Sequence, residues 1–188
     1  MKYLKYVLGT LAALIIGFIL IGIIKPTVDY ECEIMVDKPL AEAWAVAQDP
    51  EKMADWLAGF QRVEHISGTP GAVGSVSNVH FDTDGQEMSI RETITEIVPN
   101  ESIAMLFESD FMNMDYDMAL SAVDGKTRIS TSTSAVGNNI LSKSLMALMG
   151  GSLKGQEDTN LVNLKNTIEQ NQKDYFPVIE EPTEESEE

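Results

Sequence analysis

The chain has 188 residues, 13 basic and 30 acidic side chains, a net charge of −17, 44% hydrophobic residues and a single cysteine. That length carries one ordinary domain with accessories, and it buries a real core without disulfides or structural metals. So acidic a surface excludes nucleic acid as a natural partner, and Cys32 alone makes no intrachain disulfide in any compartment.

From Tyr6 to Ile24 the sequence is uncharged for 19 residues, about 28 Å as a helix and close to the hydrocarbon thickness of a bilayer. This predicts a single-pass transmembrane anchor over residues 1–26, bracketed by Lys5 and Lys25 and stopped by Pro26. The run is longer than the apolar core of a cleaved signal peptide, and no small-x-small cleavage site follows it, which favours an uncleaved signal-anchor. Lys2, Lys5 and the amino terminus nearly balance Lys25 and Lys38; the amine tips the comparison toward a cytoplasmic N-terminus and an extracytoplasmic domain. Gly9, Ala13 and Gly17 recur every four residues, a spacing that admits close approach of a second copy in a dimer, although small residues are common in such helices anyway.

The next segment, residues 27–176, reads as one domain. Val28, Tyr30, Cys32, Ile34 and Val36 alternate with acidic residues, the period of a strand with one wet face. In "VDKPLAEAWAVAQDPEKMADWLAGF" Asp37 is placed to cap a helix, and Leu40, Ala43, Trp44 and Ala47 share one helical face. Asp49-Pro50 restarts the signal for a second short helix carrying Met53, Trp56 and Leu57.

Six β-like runs follow, "FQRVEHIS", "SVSNVHF", "EMSIRETITEIV", "SIAMLFES", "MNMDYDMALSA" and "TRISTSTSAV", divided by Gly, Pro, Asn and Asp turns. From Asn138 to about Gln172 the pattern becomes helical, with Leu141, Leu145 and Leu148 on one stripe and Leu161, Leu164 and Ile168 on another. At about 100° per residue the stripes lie more than a quarter turn apart, so a bend or register adjustment is expected near Gly150, Gly151 and Gly155. An antiparallel sheet with one apolar face needs a cover, and a long helix across a curved sheet supplies it while leaving a hollow.

These residues carry a resemblance. Pro39, Trp44, Asp49, Trp56 and the Val73-Gly74 before the third strand, with "EIVPNESIAMLFES", "DGKTRIST" and "LVNLKNTIE", resemble the SRPBCC superfamily over roughly residues 27–172. That group includes START-like lipid-transfer domains and polyketide cyclase/dehydrase-like proteins. The resemblance implies an α+β helix-grip fold, a seven-stranded curved sheet around a long C-terminal helix, with a cavity between them. It specifies fold far better than chemistry.

Alternation independently supplies a lining for such a cavity. Met114, Tyr116 and Met118 fall on one face of their strand, Met88 and Ile90 on another, Met105 and Phe107 on a third. Leu145 and Met149 from the helix and Trp56 from the short helices complete the expected set of ligand contacts. For each methionine plain core packing is the competing role; as a set they make a soft, adaptable wall. Glu92 shares the parity of Met88 and Ile90, so a carboxylate is expected on the apolar face.

Two readings of function follow. The first is a membrane-tethered binding module for a lipid or other small hydrophobic molecule. The second is a cyclase-like or dehydratase-like enzyme in which Glu92, His80 or Tyr116 moves a proton; a protein-interaction domain is a third, weaker reading. No cofactor or metal is expected, because His65 and His80 have no ligand spacing and no phosphate loop or nucleophile elbow occurs. The end, residues 177–188, has six glutamates and almost nothing apolar, and is expected to be a solvated, disordered tail.

Overall fold

The computed structural model describes residues 2–83 and 85–177. The acidic tail, apart from Pro177, lies outside them. A helix α1 (Lys2–Ile24) leads almost directly into strand β1 (Thr27–Val36), followed by α2 (Leu40–Ala47), a 3-10 turn over Pro50–Lys52 and the one-turn α3 (Met53–Trp56). Strands β2 (Phe60–Ser67), β3 (Val76–Thr83), β4 (Gln86–Val98), β5 (Ser102–Glu108), β6 (Met112–Val123) and β7 (Lys126–Gly137) then meander into α4 (Ile140–Glu169).

The strands form one seven-stranded sheet in the order β1-β7-β6-β5-β4-β3-β2, with every pairing antiparallel. The expected helix-grip architecture is therefore present. Turns with left-handed backbone close the hairpins, at Asn100 (φ 62°) between β4 and β5 and at Asp124-Gly125 (φ 51° and 79°) between β6 and β7. Short polar or glycine residues tolerate that region, which explains the turn composition.

One local expectation is corrected. Asp37 does not cap α2: Pro39 holds the N-cap position without a side-chain bond, while the Asp37 amide donates to Glu169 Oε1 at 2.7 Å and its carboxylate faces Lys126 at 3.4 Å. The long helix is continuous from Ile140 to Glu169. Its two apolar stripes diverge because they cover different things: Leu161, Leu164 and Ile168 are buried, whereas Leu141, Leu145 and Leu148 are 61%, 41% and 59% exposed.

The core sits where α4 and α2 press on the β1 side of the sheet. Val36, Val46, Ile129, Leu164 and Ile168 have no exposed surface, and Trp56, Ile94, Ile103, Met118 and Leu120 join the same cluster. Asp49 caps the 3-10 turn through the Glu51 amide at 2.9 Å. The same carboxylate accepts from Lys173 Nζ at 2.8 Å and the Tyr175 hydroxyl at 2.6 Å, which ties the segment after α4 to the short helices.

Candidate functional site

Strand register decides which side chains meet. Glu92 stands across from Ser77 on β3 and Phe107 on β5, Phe107 across from Met114 on β6, and Met114 across from Ala135 on β7. Met88 faces Phe81 and Ile90 faces Val79 in the adjoining positions. Directly paired residues project to the same side of a sheet, so Met88, Ile90, Glu92, Phe107 and Met114 form one continuous patch on the concave face. Met105, Tyr116 and Met118 lie next to it, since Met105 pairs with Tyr116 and Ile103 with Met118.

Coverage of that face is uneven. The long helix packs on β1 and β7 and against α2 and α3. Inward residues beneath it are buried, as at Cys32, Thr131, Thr133 and Ala135. On β4, β5 and β6 some inward side chains stay partly accessible: Phe107, Met114 and Tyr116 are half-buried and Met88 is 50% exposed, while Ile90, Ile94, Ile103 and Met118 are buried. Half-buried apolar side chains beside a closed core make a partly accessible apolar patch, rich in methionine and with a carboxylate set into it.

The carboxylate has no hydrogen-bond or ion-pair partner among the described residues, and burial pushes the Glu92 carboxyl up from its ordinary value. An apolar setting favours its neutral form, as it does for any desolvated acid. Across the floor, Tyr116 donates its hydroxyl to Glu157 Oε1 at 3.0 Å. Burial, reinforced by the Glu157 charge, pushes the Tyr116 phenol well up, so it stays a neutral donor. Its ring meets Phe107 edge to face at 6.2 Å between centroids.

A second set of polar groups borders the helix. Burial raises the Tyr30 phenol, with the neighbouring Thr133 hydroxyl pulling the other way, and Lys154 Nζ lies 3.3 Å from Cys32 Sγ. Burial is also the largest cause raising the Cys32 thiol. Thr131 Oγ1 and Trp56 Nε1 are buried without a partner among the described residues, and Thr133 Oγ1 has none of hydrogen-bond geometry. Sequence reasoning missed Tyr30, Thr131, Thr133 and Glu157. The signal was there: Thr131 and Thr133 share the parity of Ile129 on β7, and Glu157 precedes Leu161 by four residues and Leu164 by seven.

Other expected site residues fall elsewhere. His80 has the opposite parity to Val79 and Phe81, and its Nε2 meets Glu64 Oε2 at 3.2 Å on the outer side of the sheet. The pleat thus separates it from Glu92 and Tyr116, and the three cannot act on one substrate as a set. His65 Nε2 bonds Gly68 O at 3.1 Å. Trp56 is 8% exposed and belongs to the core cluster rather than the cleft floor. Leu145 and Met149 are 41% and 40% exposed on the first half of α4.

A depression of 660 Å³ takes in Glu31, Glu33, Asp117, Ser130 and Ser132 of outward parity, together with Cys32, Thr131, Lys154 and Asp158. Four carboxylates and one ammonium surround it, a setting unsuited to an apolar ligand. The apolar patch of Met88, Ile90, Phe107 and Met114 lies apart from this acidic hollow.

The family model described as "Polyketide cyclase / dehydrase and lipid transport" matches residues 27–169. The chain belongs to this family. No curated protein matches it in sequence. Among solved structures, the crystal structure of Ara h 8.0201 is 17% identical with a TM-score of 0.64, covering 77% of this chain and 99% of that one. Protein CV1439 from Chromobacterium violaceum is 16% identical with a TM-score of 0.63, over 77% and 99% of the two chains. The di-domain ARO/CYC StfQ from the steffimycin biosynthetic pathway is 13% identical with a TM-score of 0.62, over 78% of this chain and 52% of that chain. At such identities the likeness establishes the shared fold. The family match supports a domain that binds a hydrophobic ligand.

Proposed function

We propose that this family member is a membrane-tethered module that holds a lipid or other small hydrophobic molecule against the concave face, on a floor made by Met88, Ile90, Phe107 and Met114. The observation that carries the reading is the register that joins exposed Met88, buried Ile90 and half-buried Phe107 and Met114 into one apolar patch beside a closed core. Methionines adapt their shape to varied apolar partners, and the Glu92 carboxyl, unpartnered among the described residues and raised by burial, gives a ligand head something to bond.

Tethering rests on α1. Tyr3–Ile24 is apolar enough and long enough to cross a bilayer, with only 6% of its most hydrophobic window buried. We place the domain on the extracytoplasmic side, from the charge balance about the span; a reporter fused to the C-terminus tests that side.

The enzymatic reading has narrowed. With His80 on the outer face and Tyr116 bonded to Glu157, Glu92 is the remaining proton carrier in the cleft. A carrier needs no proton transfer, and the binding reading therefore asks less of these residues.

The test uses the full chain, purified in amphipol, extracted with organic solvent and profiled by mass spectrometry. A hydrophobic molecule present at about one per chain in the wild type, and lost in Met114→Trp, is the expected result. Extracts that match amphipol alone overturn the binding reading.

A further inference from the structure

The last two turns of α1 are not free. Residues 3–16 are exposed, whereas residues 17–19 and 21 are half-buried and Gly22 is buried, because α1 packs against α4. The approach is close: a Cβ at Gly22 would come within 2.6 Å of the Ser144 amide nitrogen. The apolar run ends at Ile24, so Gly17 to Gly22 lie within about 10 Å of its end along the helix axis. Whatever depth those residues have in a bilayer, the start of α4 shares it.

That part of α4 has the surface of an interfacial helix. Leu141, Leu145 and Leu148 lie within about 60° of one another at the helical period and are all exposed, as is Ile140. The adjoining β5–β6 turn adds Phe111, 41% exposed and bound to the start of α4 through Asn138 N–H to Phe111 O at 3.0 Å. Charge follows the same division. In a chain of net charge −17, no Asp or Glu occurs between Asp124 and Glu157, while Lys143 and Lys154 do. Asp110, beside Phe111, is the one opposing charge on this turn.

We propose that the first half of α4 lies in the membrane interface beside α1, seating the domain so that the cleft opens on the bilayer. An amphipathic face of this kind settles about 5–10 Å into the headgroup region, which matches the depth set by the α1 contact. The cleft floor is at the same end: Glu108 and Asn113, which flank the β5–β6 turn, pair with each other, and Arg91, next to Glu92, pairs with Glu108. A ligand would then pass between lipid and cleft without crossing water. This seating rests on the tether proposed above.

The experiment places the fluorophore NBD at Leu141→Cys, Leu148→Cys, Ile16→Cys or Ser121→Cys in the full chain, reconstituted into phosphatidylcholine and phosphatidylglycerol vesicles with doxyl-labelled lipid as quencher. Cys32 is buried and stays as the labelling background. The expected result is blue-shifted emission and lipid quenching at Ile16, Leu141 and Leu148, and water-like, unquenched emission at Ser121. Quenching at Ile16 with none at either leucine overturns the seating and leaves the tether standing. Blue-shifted but unquenched leucines would mean that a second copy covers the stripe, which also overturns it. An unquenched Ile16 rejects the tether itself, and the seating with it.

Discussion

Tyr116 and Glu157 join the middle of the sheet to the long helix through a single hydrogen bond of 3.0 Å. Because the phenol is half-buried and held neutral, the bond is a donor and acceptor pair whose loss leaves a carboxylate facing an apolar ring. Tyr116→Phe is expected to cost about 1–3 kcal/mol by urea denaturation. If Tyr116→Phe costs as much in a Glu157→Ala background as in the wild type, the pair is not coupled.

Glu92 gives a pH signature. Its carboxyl is raised by burial, so in the interval between the ordinary value and the raised one the folded chain binds the proton more tightly than the unfolded chain. Stability is greatest below the ordinary carboxyl value and falls as pH rises through the raised folded one. Glu92→Gln is expected to raise the Tm at pH 7 and to flatten that decline; an unchanged profile would show that the carboxylate is solvated.

Asp49 behaves in the opposite sense. Burial would push its carboxyl up, but Lys173, Tyr175 and the Glu51 amide together hold it down at about 2. Its contribution is complete above pH 3.8 and is lost as pH falls toward about 2. Asp49→Asn is expected to cost about 1–2 kcal/mol at pH 7, discounted for the exposed Lys173, and to remove this acid limb from the urea midpoint against pH.

The start of α4 has a capping box. Asn139 Oδ1 accepts from the amides of Leu141 and Ser142, each at 3.0 Å, and Ser142 Oγ accepts from the Asn139 amide at 3.0 Å. Asn139→Ala is expected to cost about 1 kcal/mol. Hydrogen exchange should quicken in the first turns of α4 while the amides near Leu164 hold; uniform loosening would count against a local cap.

The strands were legible because period-2 alternation is written residue by residue, as in Met114, Tyr116 and Met118. Which side chains meet across the strands was not. Glu92 could be assigned to a face from its neighbours on β4, but its adjacency to Phe107 and Met114 needs the pairing register, which depends on turns and on the bulge between Ile94 and Glu96. Leu145 showed the same limit on α4. A one-dimensional stripe reports that a face is apolar, not whether protein, ligand or solvent lies against it. Polar lining was hardest, because Thr131 and Thr133 gain meaning only once the helix excludes water from them.

The sheet is completed by pairing its first strand with its last, β1 remaining an edge. Thr27 pairs with Val136 and Val36 with Thr127, so β1 finds its partner only after the rest of the sheet has been made. During synthesis, the first strand must wait unpaired next to α1 for nearly the whole domain to emerge. Such long-range pairing is slow to form, and a waiting edge invites pairing with other chains. The three outward acidic residues of β1, Asp29, Glu31 and Glu33, are well placed to keep that strand soluble until β7 arrives.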